Sequence, residues 1–252
     1  MVSFLHDRWP VFYEDNHLLV LYKPAGLLVQ GDETGAANLL DLAKGWSRQR
    51  HGKPGRVFLG LVQRLDRPVA GVMLFARTSK AAARLSAQIR RRETRKVYMA
   101  VVEGRPPSAA GELVDFIERS GRTRSVAPRP TPSSREARLA YRVRDTALGR
   151  SLLEIELETG RKHQIRLQLA HAGCPIAGDV RYGAAAPLAA RQIALLAREL
   201  AVEHPTRRET LSFTCPLPAG WPWPGADIPI DAPLWNWEDY APLCGAVLSF
   251  KC

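Results

Sequence analysis

Three segments of this 252-residue chain gather the side chains able to do chemistry. The first, Asp15–Gln30 (DNHLLVLYKPAGLLVQ), places a Lys-Pro-Ala-Gly turn between two apolar runs read as strands. The second, Gly60–Ala76 (GLVQRLDRPVAGVMLFA), sets Arg64-Leu65-Asp66 in a loop ahead of a β-forming run, with Gly71 allowing close backbone approach. The third, Glu158–Gly183, joins a basic turn to a helix and then to a Gly-Asp turn. An aspartate is a carboxylate at neutral pH; burial in a cleft disfavours that charge, and a nearby guanidinium restores it. Arg161, Lys162, His163 and Gln164 precede a helix start, where positive charge and free backbone N–H groups favour a phosphate or another anion. For His163 and Gln164 the favoured reading is structural, holding their loop by local hydrogen bonds. Asp179, in Gly178-Asp179, reads as a turn residue rather than a second working carboxylate. Lys23 fits either an anion contact or support of its own turn.

Other chemistries lack their signatures. There is no GxGxxG, P-loop, HExxH or GxSxG pattern. The six histidines have no metal-ligand spacing, and Cys174, Cys215, Cys244 and Cys252 are far apart with no CxxC pair. Neither a metal nor a cofactor is expected. The cysteines read as small buried hydrophobes with free thiols, which together with an N-terminus lacking an apolar signal core points to the cytoplasm. No apolar run approaches the ~18 residues that span a bilayer, so no membrane partner is expected. Lys and Arg number 36 against 25 Asp and Glu, a net charge of +11 that favours a polyanionic partner.

The charge is uneven. Residues 77–98 hold eight Lys/Arg against one Glu, and residues 119–144 hold eight Arg against one Glu. Residues 218–252 reverse the sign, with four acids against Lys251, six prolines and four of the six tryptophans. The chain therefore divides into a basic body, 1–217, and a Pro/Trp-rich extension, 218–252. Trp221, Trp223, Trp235 and Trp237 could stack on bases, but the acidic balance favours packing onto the body.

The elements that must position these residues alternate between types. Leu18–Tyr22, Val72–Ala76 and Val97–Val102 are short β-forming runs. Ser151–Glu158 alternates Leu153, Ile155 and Leu157 with Glu154, Glu156 and Glu158, predicting a strand with one wet face. Thr78 or Ser79 caps a predicted helix to about Arg92 whose buried face carries Ala82, Leu85 and Ile89. A second helix starts near His163, burying Ile165, Leu169 and Ala172. Residues 127–134 read as a loop between strands. Grouped strands with few helices predict an α+β fold with a mixed, largely antiparallel sheet.

At these residues the sequence resembles the RluA-type RNA pseudouridine synthases. That family's hallmarks stand here in order: Lys23-Pro24-Ala25-Gly26 after an acidic residue and a strand, Arg64-Leu65-Asp66, Lys96-Val97-Tyr98, and Thr159 through Arg166. His204-Pro205 matches a weaker fifth element, and the resemblance covers roughly residues 14–217. It implies the pseudouridine synthase fold, with a central catalytic cleft, and cofactor-free isomerisation of uridine in RNA to its C5-glycoside. Breaking the N1–C1′ bond calls for a carboxylate at the sugar, and Asp66 matches the family's catalytic Asp. Arg166 matches its basic partner, in preference to phosphate binding or a plain surface position. Tyr98 matches the active-site Tyr, able to stack on uracil and handle a proton at C5; a core aromatic would use the same residue type. Arg64 matches the Arg that fills the space of an extruded base, or simply contacts phosphate, and Arg161 is a further substrate-binding candidate. The expected partner is a stem-loop of rRNA or tRNA, bound by a monomer without a separate N-terminal RNA-binding domain.

The chain also departs from the family pattern. Gln63 precedes Arg64 where the family usually has His, and Pro68-Val69-Ala70 replaces a hydroxyl-rich turn. Leu195-Leu196-Ala197 stands where Leu-His-Ala is frequent. These changes motivate one rival, a catalytically inactive RNA-binding or ribosome-assembly factor on the same fold. A carboxylate glycosidase would need a second catalytic carboxylate, and none is evident.

Overall fold

The computed structural model describes residues 3–4, 10–52, 54–121, 123–188, 192–217 and 221–223. Its strands are β1 (Ser3–Phe4), β2 (Pro10–Glu14), β3 (Leu18–Lys23), β4 (Gly60–Leu61), β5 (Ala70–Ala76), β6 (Arg95–Glu103), β7 (Ala110–Ser120), β8 (Thr123–Ala127), β9 (Arg135–Ala147), β10 (Arg150–Leu157), β11 (Leu195–Glu203) and β12 (Thr210–Thr214). The helices are α1 (Leu39–Arg50), α2 (Ser79–Arg90) and α3 (Gln164–His171), with a 3-10 turn at Val180–Tyr182.

All these strands join one sheet in the order β1-β2-β3-β5-β11-β6-β10-β9-β7-β8; β12 pairs with β11, and β4 with β5. Every pairing between these strands is antiparallel except β5 with β11, where Leu196 faces Ala70 and Ala197 faces Gly71. The mixed, largely antiparallel α+β architecture read from the sequence is therefore the one observed. Gly71 sits at that junction with φ +130°, and a Cβ there would lie 2.3 Å from the carbonyl oxygen of Ala197. Only glycine permits the approach. Central β3 and β5 are buried along their whole length, which is why they read as unbroken apolar runs. On β10, Leu153, Ile155 and Leu157 are buried while Glu154 and Glu156 are not, as the alternation predicts.

Three local expectations are corrected. The apolar run after the Lys-Pro-Ala-Gly turn is not a strand; Leu28 makes one isolated bridge to Asn38. The carbonyls of Pro24 and Leu27 are taken by the Lys23 ammonium and both backbone groups of Gly26 by Arg67, so little remains for a ladder. Helix α2 is capped by Thr78 as predicted, but it buries Ala81, Leu85 and Gln88 rather than 82, 85 and 89. Gln88 is drawn inward because its amide pairs with both backbone groups of Glu203, donating at 2.9 Å and accepting at 3.1 Å, much as a neighbouring strand would. Ala172, expected to be buried behind α3, is only half-buried.

Cys174 and Cys215 are buried free thiols. Trp223 is buried in the main core and Trp221 packs against it. Trp235, Trp237, Cys244 and Cys252 lie outside the described residues. Among those described, no helix is long and apolar enough to cross a membrane.

Candidate active site

The loop between β4 and β5 carries Asp66, and a turn on β3 holds that loop. The carbonyl of Asp66 accepts from Val69 N–H at 3.0 Å, closing the loop on itself. The carbonyl of Arg67 accepts from Gly26 N–H at 2.8 Å and from the Lys23 ammonium at 3.2 Å, and Arg67 Nε donates back to the Gly26 carbonyl at 2.8 Å. Lys23 is 0% exposed, its Nζ also donating to the carbonyls of Pro24 and Leu27. Its three donors meet three carbonyls, the pattern an ammonium satisfies. Burial pulls it down to about 7, with the charge of Asp66 opposing. This settles the two roles left open for Lys23: it supports the turn and has no surface for a direct contact.

Helix α3 brings the second group. Arg166 Nη1 donates to Asp66 Oδ2 at 3.1 Å. The opposite side of the same guanidinium is held by Asp179, Nε to Oδ2 at 2.6 Å and Nη2 to Oδ1 at 2.8 Å, and its face lies 4.9 Å from the ring of Tyr182. Burial disfavours the Arg166 charge, but Asp179 and Asp66 outweigh it and the pKa rises. The side chains of Arg166 and Asp179 are 7% and 2% exposed, whereas that of Asp66 is 24% exposed and opens to the cleft.

The start of α3 is fixed by side chains rather than by a cap. His163 adopts φ 59° and makes no capping bond. Its Nδ1 bonds the Tyr182 hydroxyl at 2.7 Å, and its Nε2 lies 3.7 Å from Asp66 Oδ2. Burial lowers its pKa, with Asp66 opposing, so the ring is neutral at neutral pH. Gln164 accepts from the Thr159 hydroxyl and Arg161 N–H, and donates to the Arg138 carbonyl. Its role is local, binding α3 to β9.

These groups face a cleft of about 1000 Å³ with an apolar floor of Val62, Leu157, Ile165 and Leu195. Tyr98 lines it from β6 while belonging to the core, a position compatible with either role weighed for it. Burial, reinforced by the charge of Asp66, raises the Tyr98 phenol and keeps it protonated. Arg64 stands exposed on the rim, with no hydrogen bond or ion pair to another described residue. Arg161 is also exposed and lines the cleft, its Nε donating to the Glu136 carbonyl at 2.9 Å. Thus Asp66, Tyr98, Arg166, Arg64 and Arg161 share one site, although only Asp66 and Arg166 touch.

Three neighbours go beyond what their sequence strings specify. Asp179 holds Arg166 as well as its turn, and the Tyr182 ring covers the guanidinium. Lys96, the first residue of the Lys96-Val97-Tyr98 string and on the same strand face as Tyr98, also lines the cleft. His204 lies elsewhere, its Nε2 2.8 Å from Asp15 Oδ2, stapling the end of β11 to the β2–β3 turn. Among the described residues, no three His, Cys, Asp or Glu side chains cluster so as to hold a metal ion.

Residues 17–171 match the family model described as RNA pseudouridylate synthase. The chain belongs to this family. An uncharacterized RNA pseudouridine synthase of Bacillus subtilis is 35% identical over 211 residues, covering 83% of this chain and 68% of the relative. A Chloroflexus aurantiacus relative, also an uncharacterized RNA pseudouridine synthase, is 40% identical, with 78% of this chain and 62% of the relative covered. The ribosomal large subunit pseudouridine synthase D of Xanthomonas campestris is 36% identical, with 82% and 66% covered. The chain thus spans about two thirds of the length of these relatives. Human RNA pseudouridylate synthase domain containing 4 superposes with TM-score 0.70 at 27% identity, covering 83% of this chain and 88% of the human one. Human RNA pseudouridylate synthase domain containing 1 shares the fold, with TM-score 0.66 at 19% identity over 96% and 95% of the two chains. The pseudouridine synthase fold expected from the motifs is the fold found.

Proposed function

We propose that this chain isomerises uridine in structured RNA to pseudouridine, with Asp66 as the catalytic carboxylate. One observation carries the reading: a partly exposed carboxylate opens into a cleft of about 1000 Å³, is oriented by a buried guanidinium, and shares the cleft with a protonated phenol. Asp66 acts at the ribose as nucleophile or as the base that leads to a glycal. The N1–C1′ bond breaks, the freed uracil turns, the C1′–C5 bond forms, C5 loses its proton and N1 gains one. Tyr98 stacks on the uracil, and its hydroxyl handles the C5 proton by relay, because the phenol stays protonated. Arg64, exposed and without a partner among the described residues, fills the gap left by the extruded base or contacts phosphate.

The RNA is held by an arm beside the cleft. The β7–β8 hairpin overhangs the end of the sheet where β6 begins and β10 ends. Among the described residues, Arg119, Arg124 and Arg135 donate there only to main-chain carbonyls, whereas Arg138 is ion-paired to Glu112, Glu136 and Glu158. Arg119 and Arg124 face each other directly across the hairpin, a like-charge pair that destabilises a bare protein and suits a polyanion. The relatives named for the ribosomal large subunit favour ribosomal RNA over tRNA as the substrate.

The test is tritium release from C5-labelled uridine in bulk RNA lacking the modification. Wild type is expected to release tritium. Asp66→Asn is expected to release none while binding RNA within about tenfold of wild type, since phosphate contacts dominate affinity. Normal turnover by the variant would overturn the mechanism. Tight RNA binding without release by wild type would support the inactive binding factor instead.

A further inference from the structure

We propose that Lys96 is a substrate-binding residue whose ammonium takes the phosphodiester of the extruded target nucleotide. The inference rests on the reaction assigned to this cleft. Lys96 lies two residues before Tyr98 on β6, about 7 Å along the strand on the same face, and lines the cleft with it. It is half-buried, yet it forms no hydrogen bond or ion pair with any described residue. Burial pulls its pKa down, and no neighbouring charge offsets that. An ammonium carries three donors and is costly to desolvate without partners. The chain satisfies its cations elsewhere. Lys23 meets three carbonyls, and Arg95, beside Lys96 on the opposite strand face, pairs with Glu156 and Glu199.

The surroundings select an anion. Gly160, in the turn that follows β10, faces Lys96. A Cβ there would lie 3.9 Å from Lys96 Nζ and, beyond its chain neighbours, would meet no other residue within 4 Å. The missing side chain leaves the ammonium open to the cleft. Arg161 and Lys162, on the same turn, add two exposed cations to that wall. A uracil carbonyl would satisfy one donor but leave the charge unbalanced; a phosphate oxygen does both. Position agrees with chemistry. Lys96 lies between Tyr98 and the start of β6, the end of the sheet that the β7–β8 hairpin overhangs. With the ribose at Asp66 and the uracil on Tyr98, this outer place is left to the nucleotide's own backbone. Lys96 therefore acts on binding and not on the bonds that break.

The experiment measures kcat and KM for tritium release across a salt series with Lys96→Met, Lys96→Arg and Gly160→Val, together with melting temperatures. Lys96→Met is expected to raise KM roughly 10- to 100-fold with kcat within about twofold, since a contact equal in ground and transition states is lost. The slope of log kcat/KM against log salt is expected to shrink by about 0.7 to 0.9, one phosphate contact. Lys96→Arg is expected to keep the wild-type slope. Gly160→Val leaves the ammonium but fills the space before it, and is expected to raise KM as Lys96→Met does. Lys96→Met is expected to melt no lower than wild type, because an unpartnered charge has gone. Wild-type KM in Lys96→Met would overturn the proposal. So would a fall in kcat at unchanged salt slope, which would put the ammonium on the uracil, or a lower melting temperature at unchanged slope, which would make the lysine structural. Should Lys96→Met not fold, Gly160→Val decides, and wild-type KM there sinks the idea. No release by wild type from any RNA pool would instead remove the reaction assigned to Asp66 and this proposal with it.

Discussion

A partly buried charge is held where its partners are fixed, and Asp15, half-buried at the β2–β3 turn, is such a case away from the cleft. Burial raises its pKa, but N–H groups of His17 and Leu18, the Tyr13 hydroxyl and His204 outweigh this and hold it at about 2. A folded value below the unfolded one means stability that is present at neutral pH and is lost as pH falls from about 4 through about 2. Asp15→Asn is therefore expected to lower folding stability at pH 7 by about 1–2 kcal/mol, the shift being discounted for solvent screening, and to lower the melting temperature accordingly. The gap to wild type should narrow steadily below pH 4; a gap independent of pH would show that shape and not charge matters. Residues of this kind differ in how far the sequence discloses them. Asp66 and Arg166 were legible because each sits in a recognisable local string. The Asp179–Arg166 fork was not, because it joins a helix to a turn thirteen residues later and no local period records the contact. Lys23 was legible as a residue of interest but not in its role, since only its zero exposure and three carbonyl partners decide that.

Elements were read well where one face is wet and less well where a polar side chain substitutes for a strand. The β10 alternation is visible in sequence because water takes one face. The inward face of α2 was shifted by one residue because the Gln88 amide is bound by Glu203, an interaction with a strand more than a hundred positions away. Gly71 was correctly singled out for close approach, and its neighbour is now known to be Ala197. Gly71→Ala is expected to cost several kcal/mol, combining a positive φ with backbone overlap, and to misplace the Asp66 loop that directly precedes β5. Chemical denaturation measures the first effect and residual kcat of the folded fraction the second; a variant as stable as wild type would mean that β11 can retreat from β5.

For the whole molecule, net charge and shape act together. With +11 overall and a hairpin of main-chain-bonded arginines beside the cleft, RNA affinity is expected to fall steeply with salt. Arg119→Gln/Arg124→Gln should reduce the slope of log affinity against log salt by about two, roughly one per lost phosphate contact. An unchanged slope would place the RNA on another face. The same double change removes a like-charge pair, so the free protein should melt no lower than wild type. The sheet also imposes an order in time. β11 begins at residue 195 yet lies between β5 and β6, which are both finished by residue 103. Until the ribosome has delivered that late strand, the emerging chain carries two apolar edges facing a gap, each able to zip onto another chain. The gap must stay open through the synthesis of four intervening strands and a helix. Guarding it during translation is then a demand on the cell's chaperones, set by strand order and independent of how stable the finished sheet is.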